Sequence, residues 1–88
     1  MSEFTVAYDA KVDVLYISKR IEQAARGTED TTGIVWRYNG RGELISATVM
    51  DFRDLWNERR HQLADTISYH FGIPPAAAEN VVEHAFDL

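Results

Sequence analysis

The chain contains no cysteine. That absence excludes a disulfide framework, a thiolate metal site and a cysteine nucleophile, and it fits a reducing cytoplasm. Positive charge is scarce: 14 acidic against 9 basic side chains leave a formal charge of -5. An excess of that sign repels phosphate backbones and anionic membrane surfaces unless the few cations cluster. No run approaches the ~20 apolar residues of a membrane helix, and "MSEFTVAYDAK" lacks a basic segment followed by an apolar one. A soluble, cytoplasmic protein with no membrane partner is therefore expected. Repeats and low-complexity tracts are missing too, and Ser18, Ser46 and Ser68 sit in nothing like the strained G-x-S-x-G elbow of a serine hydrolase. With 88 residues, 45% of them hydrophobic, the chain has room for one core, so residues 1–88 are read as a single domain.

What is present falls into two periodicities. From residue 4 to 52 apolar side chains alternate, the spacing that sends neighbours to opposite faces of a sheet. Phe4, Val6 and Tyr8 form a first short strand. Residues 12–17 form a second, apolar on both faces because Val14 and Tyr16 oppose Leu15 and Ile17, and such a strand belongs inside a sheet. Residues 34–38 and 43–50 form two more around "YNGRGE", where Asn39-Gly40 and Gly42 are expected to supply the positive φ angles of a tight hairpin. The polar stretch "KRIEQAARGTEDTTG" reads as an irregular edge strand near residues 22–25 followed by a mobile loop, with disorder expected at residues 28–32. After Phe52 the period becomes helical, and Trp56, Leu63, Ile67 and Phe71 share one stripe of a helix over residues 54–72, capped at its start by Asp51 or Asp54. Gly72 and Pro74 end it; a second helix over residues 75–87 carries the stripe Ala78, Val81, Val82, Ala85 and Phe86. Short helices of this kind need their stripes buried. The expected architecture is α+β: an antiparallel β-meander of about four strands followed by a C-terminal helical hairpin packed on one face.

The segments "YDAKVDVLYI" and "TTGIVWRYNGRGELISATVMDF" resemble the small prokaryotic family catalogued as domain of unknown function 2283. Its members read Y-D-x-x-x-D-x-L-Y-I, then a Pro-Gly-led strand ending in D-Y-D, then G-x-L-x-G-I-E-I-L-D. Tyr8, Asp9, Asp13, Leu15, Tyr16 and Ile17 match the first block; Gly33, Tyr38, Gly42, Leu44 and Asp51 match the rest, over residues 4–53. The resemblance implies a small β-meander domain and no established activity. Since some relatives look like partners of small toxin-like proteins, it also implies an antitoxin-like binding role. The chain departs from the pattern where charge matters: D-Y-D is Arg37-Tyr38-Asn39 here, and the strand Glu is Thr48. A cation site built on the family's acidic residues would have lost much of its ligand set.

Each chemical candidate has a plainer reading beside it. Asp9 and Asp13 are a carboxylate pair able to hold a hard cation, yet they flank "AKV" between two strands, where Asx side chains start turns. The turn reading is preferred. His61 and Asp65 stand one helical turn apart, a spacing that serves a shared metal or an ordinary ion pair. A small enzyme or metal-binding protein using His61 or His70 with carboxylates is one alternative. A helix-turn-helix in "LADTISYHFGIPPAAAENVVEHA" is another, but its second helix carries Glu79 and Glu83 and no Lys or Arg, so phosphate would repel it. Trp36 and Trp56 are expected in the core, although tryptophan also marks binding hot spots. The leading reading is a non-enzymatic protein-interaction module without cofactor, its partner a second copy or a small toxin-like protein. Trp36, Trp56, Arg53, Arg59 and Arg60 are the candidate contacts; Tyr8, Asp9, Asp13, Leu15, Tyr16, Gly40 and Gly42 are the fold-motif residues.

Overall fold

The computed structural model describes residues 4–88, so residues 1–3 of the expected domain lie outside the described residues. Five strands precede three helices: β1 (Thr5–Asp9), β2 (Val14–Ser18), β3 (Arg26–Glu29), β4 (Ile34–Tyr38), β5 (Leu44–Val49), α1 (Phe52–Trp56), α2 (Arg60–Phe71) and α3 (Pro75–Phe86). All strand pairings are antiparallel and the spatial order is β1-β2-β5-β4-β3. Strands β3, β4 and β5 run as a meander, and the β1–β2 hairpin adds onto the open side of β5. The α+β class is as the periodicity predicts. The fifth strand is the expected edge strand in a different place: Arg26–Glu29 pairs with β4, Glu29 opposite Val35 and Arg26 opposite Tyr38. The edge strand thus lies later than residues 22–25, and residues 28–32 form its end and an ordered turn where disorder was expected.

One face of the sheet carries the core. Leu15, Ile17, Ile34, Trp36, Ala47 and Val49 pack against Phe52, Trp56, Leu63, Ile67, Phe71 and the whole predicted stripe of α3. Burying an aliphatic side chain as completely as Leu15 contributes about 1.5–3 kcal/mol. Tyr16 points the other way and is 43% exposed, so it does not share the buried centre of the sheet expected for it beside Leu15 and Ile17.

The expected single helix over residues 54–72 is two. Arg59 leaves the helical region at φ -131°, ψ 36°. The break separates the Phe52–Trp56 segment from α2, while both contribute buried apolar residues to one core. Neither Asp51 nor Asp54 caps α1 as expected: Asp51 lies in the left-handed region at φ 51° and makes no side-chain cap. The end of α2 follows expectation. Gly72 adopts φ 68°, its N–H reaches the Ser68 carbonyl at 3.0 Å, and Pro75 opens α3.

In the β4–β5 hairpin only part of the expected turn chemistry is found. Gly42 has φ 80°, but neither Asn39 nor Gly40 has a positive φ. Asn39 acts through its side chain, its Oδ1 accepting from the amides of Arg41 and Glu43 at 3.0 Å each while Nδ2 donates to Glu43 and Glu22. An Asx side chain standing in for backbone bonds explains why this polar residue is buried.

Candidate functional site

Strand alternation builds the face opposite the helices. Across it, in register, run Ala7, Tyr16, Thr48, Val35 and Glu29, one from each strand. The next row is Thr5, Ser18, Ser46, Arg37 and Gly27. Beyond Val49, Met50 adds an apolar side chain that is 41% exposed. Among the described residues no helix covers this face, since the buried apolar residues of all three helices join the core on the opposite side. An aromatic ring, a thioether and a half-buried valine make a mixed apolar surface. Arg37 lies across it: its Nε reaches Thr48 Oγ1 at 3.4 Å, and its Nη1 stands 3.8 Å from where a Cβ on Gly27 would sit.

The aspartates of the first motif have separate structural tasks. Asp9 Oδ1 accepts from the Lys11 amide at 3.0 Å, the Asx turn expected of it. Asp13, in the left-handed region at φ 56°, does something its neighbours in sequence do not disclose. Its carboxylate accepts from the amides of Arg53 at 2.9 Å and Asp54 at 3.1 Å, and from the Tyr8 hydroxyl at 2.8 Å. It is therefore the N-terminal cap of α1, supplied from forty residues away. Partial burial works against its charge, but these donors prevail and hold the carboxyl below its ordinary range. The same contact, after burial, raises the Tyr8 hydroxyl.

Asp30 is the corresponding node at the other end. It accepts from Thr32 N and Oγ1, from Ile34 N, and from Trp36 Nε1 at 3.0 Å. Burial again opposes the charge and the donors outweigh it, so this carboxyl is also held low. Trp36 in turn stacks on His70, ring centroids 3.8 Å apart and planes 7° from parallel, while His70 Nδ1 lies 2.9 Å from the Thr66 carbonyl.

The remaining candidates are placed as follows. Trp36 and Trp56 are in the core at 2% and 7% exposure, as expected for large aromatics in a small domain. Trp56 buries an indole N–H with no acceptor among the described residues. Arg53 donates to the carbonyls of Phe86 and Leu88 and lies over the Tyr8 ring; Arg60 lies over Phe86 at 4.0 Å. Those two cations thus flank an aromatic of their own chain, and Arg59 is exposed beside them. A depression of about 320 Å³ along α1 is lined by Arg53, Asp54, Leu55, Asn57, Glu58 and Arg59. His61 lies 3.6 Å from Asp65 and 3.4 Å from Glu79. Since nine residues turn an α-helix by about two and a half turns, His61 and His70 sit on opposite sides of α2 and do not converge. Among the described residues no three His, Asp or Glu side chains gather as a metal-binding group. Among the described residues no helix is long and apolar enough to cross a membrane.

Among the described residues the geometry defines a two-layer α+β protein with one helix-free sheet face and β3 unpaired on its outer side. Comparison of the chain with protein-family models, with curated proteins and with solved structures finds no match.

Proposed function

We propose that the chain is a small non-catalytic protein-interaction module that binds through the helix-free face of its sheet. The observation that carries this reading is the apolar surface of exposed Tyr16 and Met50 with half-buried Val35, on a sheet whose opposite face carries the core. Surfaces of this kind favour association because covering them removes apolar area from water. The net charge of -5 favours a basic partner over an acidic one. Kinship with domain of unknown function 2283, an antitoxin-like role towards a small toxin-like protein, and a cytoplasmic setting are narrower forms of the same reading.

Tyr16→Glu tests it. This position is half exposed at the centre of the face, so a carboxylate there leaves the core intact and puts a charge where a partner would sit. Loss of complex formation in sedimentation velocity, with an unchanged far-UV circular dichroism spectrum, is expected. Complexes formed as well by the variant as by the parent chain would overturn the reading.

A further inference from the structure

The outer side of β3 is a sheet edge with nothing paired to it among the described residues, and all four of its residues are exposed. Which of its backbone groups face outward follows from the hydrogen bonds on its inner side. Asp30 N–H donates to the Ile34 carbonyl at 2.9 Å, so in the alternating pattern of an antiparallel ladder Arg26 and Thr28 turn their N–H and C=O towards β4. Gly27 and Glu29 therefore present theirs outward.

We propose that a second copy of this chain occupies that edge, β3 pairing antiparallel with β3 of the copy about a two-fold axis perpendicular to the sheet. This rests on the reading of the chain as an interaction module and adds a self-pairing contact at the sheet edge to the partner-binding face. Opposed residues in an antiparallel pair must point to the same face, which restricts the register to residues of equal parity. With Thr28 opposite Thr28 of the copy, Gly27 stands opposite the copy's Glu29, and every outward N–H and C=O of both residues finds a partner. Shifting the register to centre on Gly27 would leave glycine facing glycine and Ala25 facing Glu29.

Charge selects the same register. Glu29 and Arg37 make no ion pair within the chain among the described residues. Arg37 lies on the helix-free face and reaches over Gly27, with Nη1 3.8 Å from the site a Cβ would fill there. The Glu29 side chain of the copy, standing opposite Gly27 on that face, meets this guanidinium; the symmetry repeats the contact. On the helix side the same register sets Arg26 opposite the copy's Asp30. Thr28 against Thr28 is a favourable cross-strand pair. Because the axis is perpendicular to the sheet, both helix layers fall on one side and the two apolar faces merge into one continuous surface.

The test uses the full chain, which has no cysteine of its own. Thr28 occupies a position not hydrogen-bonded across the proposed junction, where Cα atoms approach to about 4.5 Å, close enough for a disulfide. Thr28→Cys in a glutathione redox buffer is expected to give a covalent dimer, and Thr5→Cys, exposed on the far edge strand, is not. Arg37→Glu and Glu29→Arg should each weaken the dimer seen in native mass spectrometry by about tenfold or more, and the double variant should restore it. Monomer at every concentration, or equal cross-linking of both cysteine variants, would overturn the edge assignment. A dimer indifferent to both charge reversals but lost in Tyr16→Glu would also overturn it, while leaving the interaction reading standing. Conversely, an edge dimer that forms normally in Tyr16→Glu and binds no partner through that face would fail the earlier reading alone.

Discussion

At the scale of single residues, similar side chains are separated by their partners. Trp36 and Trp56 are both buried indoles, yet Trp36 donates to Asp30 and stacks on His70 whereas Trp56 has no acceptor for its N–H among the described residues. Leaving a buried donor unpaired costs about 1–3 kcal/mol, and removing a donor from a carboxylate that depends on it costs a similar amount. Trp36→Phe should therefore destabilise the fold by at least about 2 kcal/mol more than Trp56→Phe, because each loses ring volume but only one loses a made bond. Urea denaturation of the two variants measures the difference, and equal midpoints would contradict the bonding described for Asp30. Asp9 and Asp13 divide in the same way. Asp9 bonds two residues along the chain, as turn chemistry predicts, while Asp13 bonds across the fold to the start of α1.

Elements show where local rules suffice. The α2–α3 boundary was legible because Gly72 and the Pro74-Pro75 pair are themselves stop and start signals. Open space surrounds a Cβ added at Gly72, so Gly72→Ala tests backbone conformation alone. At φ 68° the substitution should cost about 1–2 kcal/mol. A thermal melt checks it, and an unchanged midpoint would mean that the helix end does not need the left-handed residue. By contrast, the break between α1 and α2 was not legible. Asn57, Glu58 and Arg59 contain neither glycine nor proline, and Phe52, Trp56, Leu63, Ile67 and Phe71 would line one stripe of an unbroken helix equally well. The structure shows the break at Arg59, which leaves the helical region, while the start of α1 is set by Asp13 from across the fold. Strand β3 was placed too early for a related reason: "RGTE" has no apolar alternation and is a strand through pairing with β4.

For the whole molecule, the carboxylate of Asp13 ties the β1–β2 turn to the start of α1, and that of Asp30 ties the β3–β4 turn to Trp36. Both are held below the ordinary carboxylate range in the folded state. A depressed folded value means that the unfolded chain binds the proton more readily, so the contribution is fully present above the ordinary range and fades as pH falls through the depressed values. Stability should thus begin to fall as pH drops below about 4, and Asp13→Asn should flatten that acid limb while lowering stability at neutral pH. Asparagine tolerates the left-handed backbone at this position, so the variant tests the charge and the lost acceptor without adding strain. Thermal melts across pH show it, and parallel curves for parent and variant would contradict the role given to Asp13. The helix-free face could be foreseen only as a consequence of two layers. Its composition became visible once the strand order put Tyr16, Thr48 and Val35 in one row.

The sequence by itself determined the two periodicities, the Gly42 hairpin, the Gly72–Pro75 helix junction and the stripe of α3. Each is set by spacing and backbone preference within a few residues. Only the tertiary structure decided that β5 inserts between β2 and β4, that Arg26–Glu29 is a strand, that α1 separates from α2, and that Asp13 caps a helix forty positions away. Those choices depend on which distant groups can be buried or hydrogen-bonded together at a tolerable loss of chain entropy, and no local pattern encodes that balance.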